Sequence, residues 1–132
     1  MAIRSWTSQI VASDPAALDL ARDRWETNHD QVASRATVVQ LFNDLLRTVP
    51  DCTLVADGLD ECAPTGESGA SVARFVETVR RAVSTTCTSV IIVSRDESDI
   101  RHALMDNAND RFAIYKIQPE DVRADTGQEA FQ

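Results

Sequence analysis

The apolar positions of the first part of the chain recur at helical spacing. Three amphipathic stripes predict three helices, with apolar members at Ile3, Trp6 and Ile10, at Leu18, Ala21 and Trp25, and at Val38, Leu41, Phe42, Leu45 and Val49. Asp14 stands directly before Pro15, which is the arrangement of a capping residue and a proline at the first helical position. Thr37 and Gln40 have the spacing of a capping box, and the polar residues 28–35 before them predict a loop.

Beyond residue 50, short apolar runs alternate with helical stripes. Residues 52–56 form a short, nearly continuous apolar run, which is typical of a strand buried on both faces of a parallel sheet. Residues 89–94 are the clearest strand in the sequence. The other predicted elements are a loop over residues 63–69, helices over residues 72–83 and 97–105, a third strand over residues 112–117 and a last helix over residues 119–131.

This order of elements predicts an α/β fold with a parallel sheet of about three strands and an N-terminal helical half. Right-handed crossovers place the carboxyl ends of parallel strands along one edge of the sheet. Ligands of such sheets bind at that edge. We therefore expect the chemistry of this protein directly after Ala56, Val93 and Ile117.

Three carboxylates follow the first predicted strand in residues 57–61, here named the acidic turn. Two like charges about 6 Å apart at an effective dielectric of about 20 repel by roughly 2–3 kcal/mol, so a cation or a bound proton should accompany them. Mg²⁺ with nucleotide phosphates is one such partner, because it takes only one or two protein carboxylates. Asp57 would then hold the metal, and Gly58 would turn the backbone beside the ligand. Asp60 or Glu61 would orient or deprotonate an attacking water.

The second predicted strand ends in Ser94 and Arg95. An arginine at the carboxyl end of a neighbouring parallel strand directs its planar guanidinium at the same crevice, where it can bind a terminal phosphate or the acids. Residues 57–95 have room for one loop, one helix and one strand, which is a complete crossover unit. We therefore place Ser94 and Arg95 in one candidate site with the acidic turn.

The composition limits the classes of function. The chain has 132 residues and a formal net charge of −8, which suits one domain and argues against a nucleic-acid binder, since such proteins carry a basic face. No apolar run approaches the roughly 20 residues that span a bilayer, and the N-terminus lacks the pattern of a secretory signal. Three cysteines and two histidines without metal-ligand spacing indicate reduced thiols in a cytoplasmic protein.

These motifs carry a resemblance to a known family. One segment resembles the Walker B segment of NACHT domains, and it reads Leu54-Val55-Ala56-Asp57-Gly58-Leu59-Asp60-Glu61-Cys62. NACHT domains are the nucleotide-binding switch modules of NLR-type signalling proteins. The similarity is greatest to fungal members with a nephrocystin-like N-terminal NTPase region. Residues 90–95 resemble the sensor 1 strand of the family, and residues 4–19 and 117–125 resemble its flanking segments, so the resemblance covers nearly the whole chain.

The resemblance implies a fold of the P-loop NTPase type, of the STAND class, and a role for each site residue. Asp57 corresponds to the acid that coordinates Mg²⁺, Asp60 and Glu61 to the candidates for water activation, and Arg95 to the sensor of the γ-phosphate. Asp96 stands where the family usually has a proline, and its negative charge beside Arg95 is expected to weaken phosphate sensing.

The phosphate loop of that family is not found in this sequence. No G-x-x-x-x-G-K-[ST] occurs, and the chain contains four glycines and a single lysine, Lys116, so the backbone cradle for the phosphates is missing. The resemblance implies that the phosphate-loop strand, which lies between the sensor strand and the third predicted strand, would precede Met1. Residues 1–132 would then be a single incomplete domain, with a helical part (1–49) and an α/β part (50–132). We expect Mg²⁺ with ATP or GTP in the intact parent, and no ATPase activity from this chain alone.

Two other functions stay open at the level of sequence. Asp57, Ser94 and Lys116 at three strand ends mimic a receiver-like phosphoacceptor domain, although no pair of acids follows an earlier strand. A non-catalytic interaction fragment is the other alternative, because a sheet that lacks an interior strand exposes edges that can pair with another chain or a second copy. The apolar helix over residues 38–49 would offer a further docking face. Neither a membrane nor a nucleic acid is expected as a partner.

Overall fold

The computed structural model of the protein describes residues 2–28, 32–62, 68–105 and 113–123. Its elements, in chain order, are α1 (Ala2–Ser13), α2 (Pro15–Thr27), α3 (Arg35–Thr48), β1 (Thr53–Asp57), a 3₁₀ turn (Leu59–Cys62), α4 (Ser68–Val83), β2 (Ser89–Val93) and α5 (Ser98–Met105). The fold is mixed α/β with a parallel sheet, as predicted. Within these ranges, no helix combines the length and the apolar character that crossing a bilayer requires.

The strands β1 and β2 form a two-stranded parallel sheet, in register from Thr53 opposite Ser89 to Asp57 opposite Val93. Helix α4 is the crossover between them, as the connection of parallel strands requires. The backbone N–H of Gly58 donates to the carbonyl oxygen of Val93 at 2.9 Å and extends the ladder beyond β1. The carboxyl ends of both strands therefore lie at one edge of the sheet, which confirms the predicted placement of the two motifs.

The helix starts show which capping predictions hold. Asp14 caps α2, since its side chain accepts a hydrogen bond from the N–H of Ala17 at 3.1 Å, and Pro15 is the first helical residue as predicted. The capping box predicted at Thr37 is wrong. Ser34 is the cap of α3, because its Oγ accepts from the N–H of Thr37 at 3.1 Å and the helix already begins at Arg35. The N–H groups that Thr37 would cap therefore lie inside the helix, and the cap stands three residues earlier than predicted.

The main core joins the first three helices to the inner face of the sheet and to α4. Its buried members are Trp6, Ile10, Ala17, Phe42, Leu45, Leu46, Leu54, Val79 and Ala82. The ring centroid of Trp6 lies 6.1 Å from that of Phe42 and 5.9 Å from that of Phe75. Phe42 and Leu45 have no exposed surface. The apolar stripe of α3, considered above as a docking face, is therefore occupied inside the fold.

Helix α2 contacts this core through a different face from the predicted one. Its buried residue is Ala17, whereas Leu18 and Trp25 are 37% and 64% exposed. Neighbouring residues of a helix are about 100° apart around its axis, so Leu18 lies to the side of the contact that Ala17 makes. The stripe that predicts this helix is thus not buried at Leu18 and Trp25, and the small residue Ala17 makes the contact with the core instead.

The two faces of the sheet are not equally covered. The inner face packs against the helical clusters and consists of Leu54, Ala56, Val90 and Ile92. The outer face presents Val55, Ile91 and Val93, which are 52%, 51% and 43% exposed. The prediction that residues 52–56 form a strand buried on both faces is therefore wrong, because the described helices contribute buried side chains only to clusters on the inner face.

Residues 113–117 lie in no strand, so the third strand predicted over residues 112–117 is wrong for the part that the structure describes. A strand needs a hydrogen-bonding neighbour, and this segment pairs with neither β1 nor β2. Ile114, Tyr115 and Ile117 are 65%, 77% and 64% exposed. Residues 119–123 are helical, as predicted for the start of the last helix. Phe112, the rest of that helix (124–131) and residues 63–67 of the predicted loop lie outside the described residues.

Candidate functional site

The acidic turn leaves β1 through a sharp bend at Gly58. Its φ of 72° lies in the left-handed region, which favours glycine because other residues place a Cβ against the backbone. The carbonyl oxygen of Gly58 accepts the N–H of Glu61 at 3.0 Å and starts the 3₁₀ turn. A Cβ at position 58 would lie 3.6 Å from Oε2 of Glu61. The carboxylate of Glu61 thus lies beside the bend, and backbone conformation rather than lack of space calls for glycine.

Asp60 joins the acidic turn to the end of β2. Its Oδ1 accepts hydrogen bonds from Ser94 Oγ and from the backbone N–H of Arg95, both at 3.3 Å. Its Oδ2 lies 3.6 Å from Nε of Arg95. The side chain of Asp60 is 10% exposed and that of Arg95 84% exposed. The structure therefore brings the predicted site residues Asp60, Ser94 and Arg95 together.

These contacts favour the ionised form of Asp60. Desolvation raises the pKa of this carboxyl, but hydrogen bonds from the backbone N–H groups of Arg95 and Asp60 and from Ser94 Oγ, with the charge of Arg95, outweigh it. The pKa of Asp60 is therefore held below its ordinary value. A group of this kind accepts hydrogen bonds at neutral pH and releases its proton readily.

The three acids of the turn point to different partners. Asp60 faces β2, Glu61 lies beside Gly58, and Asp57 ends β1 with its side chain exposed. In the part of the chain that the structure describes, no three His, Cys, Asp or Glu side chains are grouped to hold a metal ion. The acidic turn therefore does not supply enough protein ligands to hold a metal ion by itself. One exposed carboxylate at a strand end does suit Mg²⁺ that takes its other ligands from phosphates and water.

Asp96 follows Arg95 but binds other cations. Its Oδ1 pairs with the guanidinium of Arg101, whose Nε lies at 3.1 Å, and its Oδ2 is 3.9 Å from Nζ of Lys116. The hydrogen bond from Arg101 lowers the pKa of Asp96, and the charges of Arg101 and Lys116 act in the same direction. The negative charge of Asp96, which was expected to weaken phosphate sensing by Arg95, is thus partly neutralised by Arg101 and Lys116. Arg101 is not among the residues predicted from the sequence, although a basic residue in the helix directly after a strand end was a usable signal.

Lys116 lies near this edge without belonging to a strand. Its contact with Asp96, together with the hydrogen bond of Ser94 to Asp60, gives no support to a receiver-like arrangement around Asp57. That alternative stays a prediction from the sequence.

The edge of β1 that faces away from β2 is partly closed by Trp6. The indole Nε1–H of Trp6 donates to the carbonyl oxygen of Val55 at 3.0 Å. Beside this contact runs a groove of about 530 Å³ between α1, α3, α4 and β1, with Asp57 and Phe75 among its lining residues. Helical spacing places Trp6 in the first apolar stripe and gives no sign of its hydrogen bond to a strand edge.

Comparison with known proteins identifies the family of the chain. No curated protein and no solved structure matches it. The model of the nephrocystin 3 N-terminal family matches residues 1–95, which run from α1 through both strands to Arg95. The match covers 95 of the 132 residues. The chain therefore belongs to the nephrocystin 3 N-terminal family.

Proposed function

We propose that this chain is the Walker B and sensor 1 part of a NACHT-type nucleotide-binding domain. The parent protein would act as a nucleotide-dependent signalling switch in the cytoplasm. The observation that carries this proposal is the meeting of the acidic turn with Arg95 at the carboxyl edge of the sheet, where Asp60 Oδ2 and Arg95 Nε are 3.6 Å apart. Open α/β sheets bind their ligands at that edge. Membership in the nephrocystin 3 N-terminal family is compatible with the proposal, and the family match includes the acidic turn and Arg95.

Each site residue has a role that its position permits. Asp57 would hold Mg²⁺, which neutralises phosphate charge when bound, and its exposed carboxylate leaves room for phosphate and water ligands. Gly58 keeps the backbone close to that ligand. Arg95 has an 84% exposed guanidinium that can form paired hydrogen bonds with a terminal phosphate. Asp60 and Glu61 are the candidates to orient the attacking water.

The chain alone would lack catalytic activity because its sequence contains no phosphate-loop motif. That loop supplies backbone N–H groups and a lysine to the phosphates, whereas the single lysine of this chain, Lys116, lies 3.9 Å from Asp96. A lone carboxylate holds Mg²⁺ weakly without phosphate ligands. Tight binding of Mg²⁺ with ATP or GTP is proposed only for the completed domain.

The proposal is tested by nucleotide binding and hydrolysis. The purified chain should neither bind labelled ATP or GTP tightly nor hydrolyse them with Mg²⁺. The coding sequence upstream of Met1 should encode a phosphate loop in frame. The longer protein should bind Mg²⁺–ATP, and Asp57→Ala should weaken that binding about tenfold or more, as expected for the loss of a charged metal ligand.

Asp23→Ala on the exposed surface of α2 is the matched control and should leave nucleotide binding unchanged. Steady magnesium-dependent turnover by the chain alone, lost in Asp57→Ala, would contradict the prediction for the isolated chain. An upstream region without any phosphate loop would contradict the proposed parent.

The outer face of the sheet favours a second candidate, a non-catalytic interaction fragment. Val55, Ile91 and Val93 present half-exposed apolar side chains there, and each strand has only one strand neighbour among the described residues. Strands with a free edge can pair with another chain. Light scattering over a range of concentrations separates the two candidates, since a monomer at every concentration argues against self-association through this sheet.

A further inference from the structure

Asp60 differs from the other two acids in its surroundings. Its side chain is 10% exposed and contacts two consecutive residues at the end of β2 through both carboxylate oxygens. Asp57 is an exposed strand end, and Glu61 is an exposed side chain next to Gly58. Of the three, Asp60 therefore has the environment of a structural contact between two elements.

The contacts of Asp60 continue the sheet beyond its last backbone bond. The ladder ends with the bond from Gly58 N–H to the carbonyl of Val93. Asp60 Oδ1 accepts the next available backbone donor, the N–H of Arg95, and the hydroxyl of Ser94. A carboxylate that accepts a backbone N–H forms a charge-assisted hydrogen bond, which is stronger than a neutral one. Asp60 thus holds the backbone of Arg95 while most of the guanidinium stays exposed.

The same contacts make Asp60 a poor general base. A general base needs a lone pair directed at the water and a pKa near the working pH. Both oxygens of Asp60 already face Ser94 and Arg95, whereas the carboxylate of Glu61 is exposed beside the bend.

From this geometry, and resting on the proposed function, we propose that Asp60 is a positioning residue. It fixes Ser94 and Arg95 at the carboxyl edge of the sheet so that the guanidinium of Arg95 is presented to an anionic phosphate. Glu61 is then the acid that remains for the attacking water.

The test follows Arg95 by NMR in the ¹⁵N-labelled full chain. Asp60→Ala removes the acceptor and the charge, whereas Asp60→Asn keeps an acceptor oxygen and removes the charge. We expect the backbone amide of Arg95 to exchange with solvent about fivefold to tenfold faster in Asp60→Ala, as the loss of one hydrogen bond implies. Asp60→Asn should retain most of this protection and still shift the Nε–H signal of Arg95.

The matched control is Asp96→Asn, which removes a neighbouring carboxylate that pairs with Arg101 and Lys116. It should leave the exchange rate of the Arg95 amide unchanged, because the acceptor of that amide is Asp60. If Asp60→Ala does not fold, the Asp60→Asn spectrum decides by the shift of the Nε–H signal. Unchanged Arg95 signals in the folded Asp60 variants overturn the proposal, as does faster exchange spread equally over all amides of β1 and β2.

A separate probe distinguishes this proposal from the proposed function. Inorganic triphosphate with Mg²⁺, titrated into the wild-type chain at millimolar concentration, should move the Nε–H signal of Arg95. Failure to move it counts against phosphate binding at this edge and leaves the positioning result intact. If triphosphate moves that signal but the Asp60 variants leave the Arg95 signals unaltered, phosphate binds at this edge and Asp60 has no positioning role.

Discussion

The two faces of the small sheet carry similar side chains and have different environments. On the inner face, Leu54 is 3% exposed and belongs to the core formed with α1, α3 and α4. On the outer face, Val55 and Ile91 are 52% and 51% exposed. Burial here depends on which face the helices cover and not on how apolar the strand is. We therefore expect the inner face to contribute more to the stability of the fold than the outer face, where Val55 and Ile91 are half-exposed.

The largest expected change in the free energy of unfolding comes from a substitution that creates a cavity in the core on the inner side of the sheet. Phe42→Ala should lower the free energy of unfolding by about 3–5 kcal/mol, because Phe42 is fully buried and packs against Trp6. Urea unfolding followed by circular dichroism measures this change. Ile91→Ala on the outer face is the control, with an expected loss of about 1 kcal/mol. Equal losses for the two variants would contradict the difference between the faces.

A smaller effect is expected at the edge of β1. Trp6→Phe keeps an aromatic ring against Phe42 and Phe75 but removes the indole N–H that binds the carbonyl of Val55. The free energy of unfolding should fall by about 1–2 kcal/mol, as for a carbonyl that loses its partner. Trp25→Phe at an exposed position of α2 should change it by less than about 0.5 kcal/mol. The same small change in both variants would show that the hydrogen bond from Trp6 to the edge of β1 does not stabilise the fold.

The smallest expected effect is a dependence on acid pH. Asp60, Asp96 and Asp121 have pKa values lowered below the ordinary value of 3.8. A carboxyl with a lower pKa in the folded state stabilises the fold above its unfolded pKa, and this contribution is lost as the pH falls through the folded pKa. The melting temperature should therefore be nearly constant at neutral pH and should fall below about pH 4. Asp60→Asn should reduce this fall, and an identical curve for that variant would show that Asp60 does not contribute.

The sequence predicts the elements that depend on local patterns and on the order of the chain. Asp14 and Pro15 define the start of α2 because the cap and the proline act within one turn. The two parallel strands, and with them the meeting of the acidic turn and Arg95, follow from the crossover rule. These predictions concern interactions whose partners are fixed by sequence separation or by topology.

The parts that were not predicted depend on neighbours that sequence spacing does not specify. The exposure of Val55 and Ile91 reflects the face chosen by the helices. Residues 113–117 have strand-like composition, but they form no strand because no neighbouring strand pairs with them. Asp57 was predicted to hold the metal and Asp60 or Glu61 to orient a water, but the hydrogen bonds that Asp60 accepts from Ser94 and Arg95 were not predicted. These bonds depend on side-chain geometry at the two strand ends.

Nuclear Overhauser contacts in the labelled wild-type chain report directly whether the acidic turn and the end of β2 lie side by side. We predict a contact between the amide proton of Gly58 and the α-proton of Ser94, and another between the amide proton of Arg95 and the β-protons of Asp60. A spectrum in which Gly58 and Asp60 show no contact with residues 93–95 would contradict the site described for this protein.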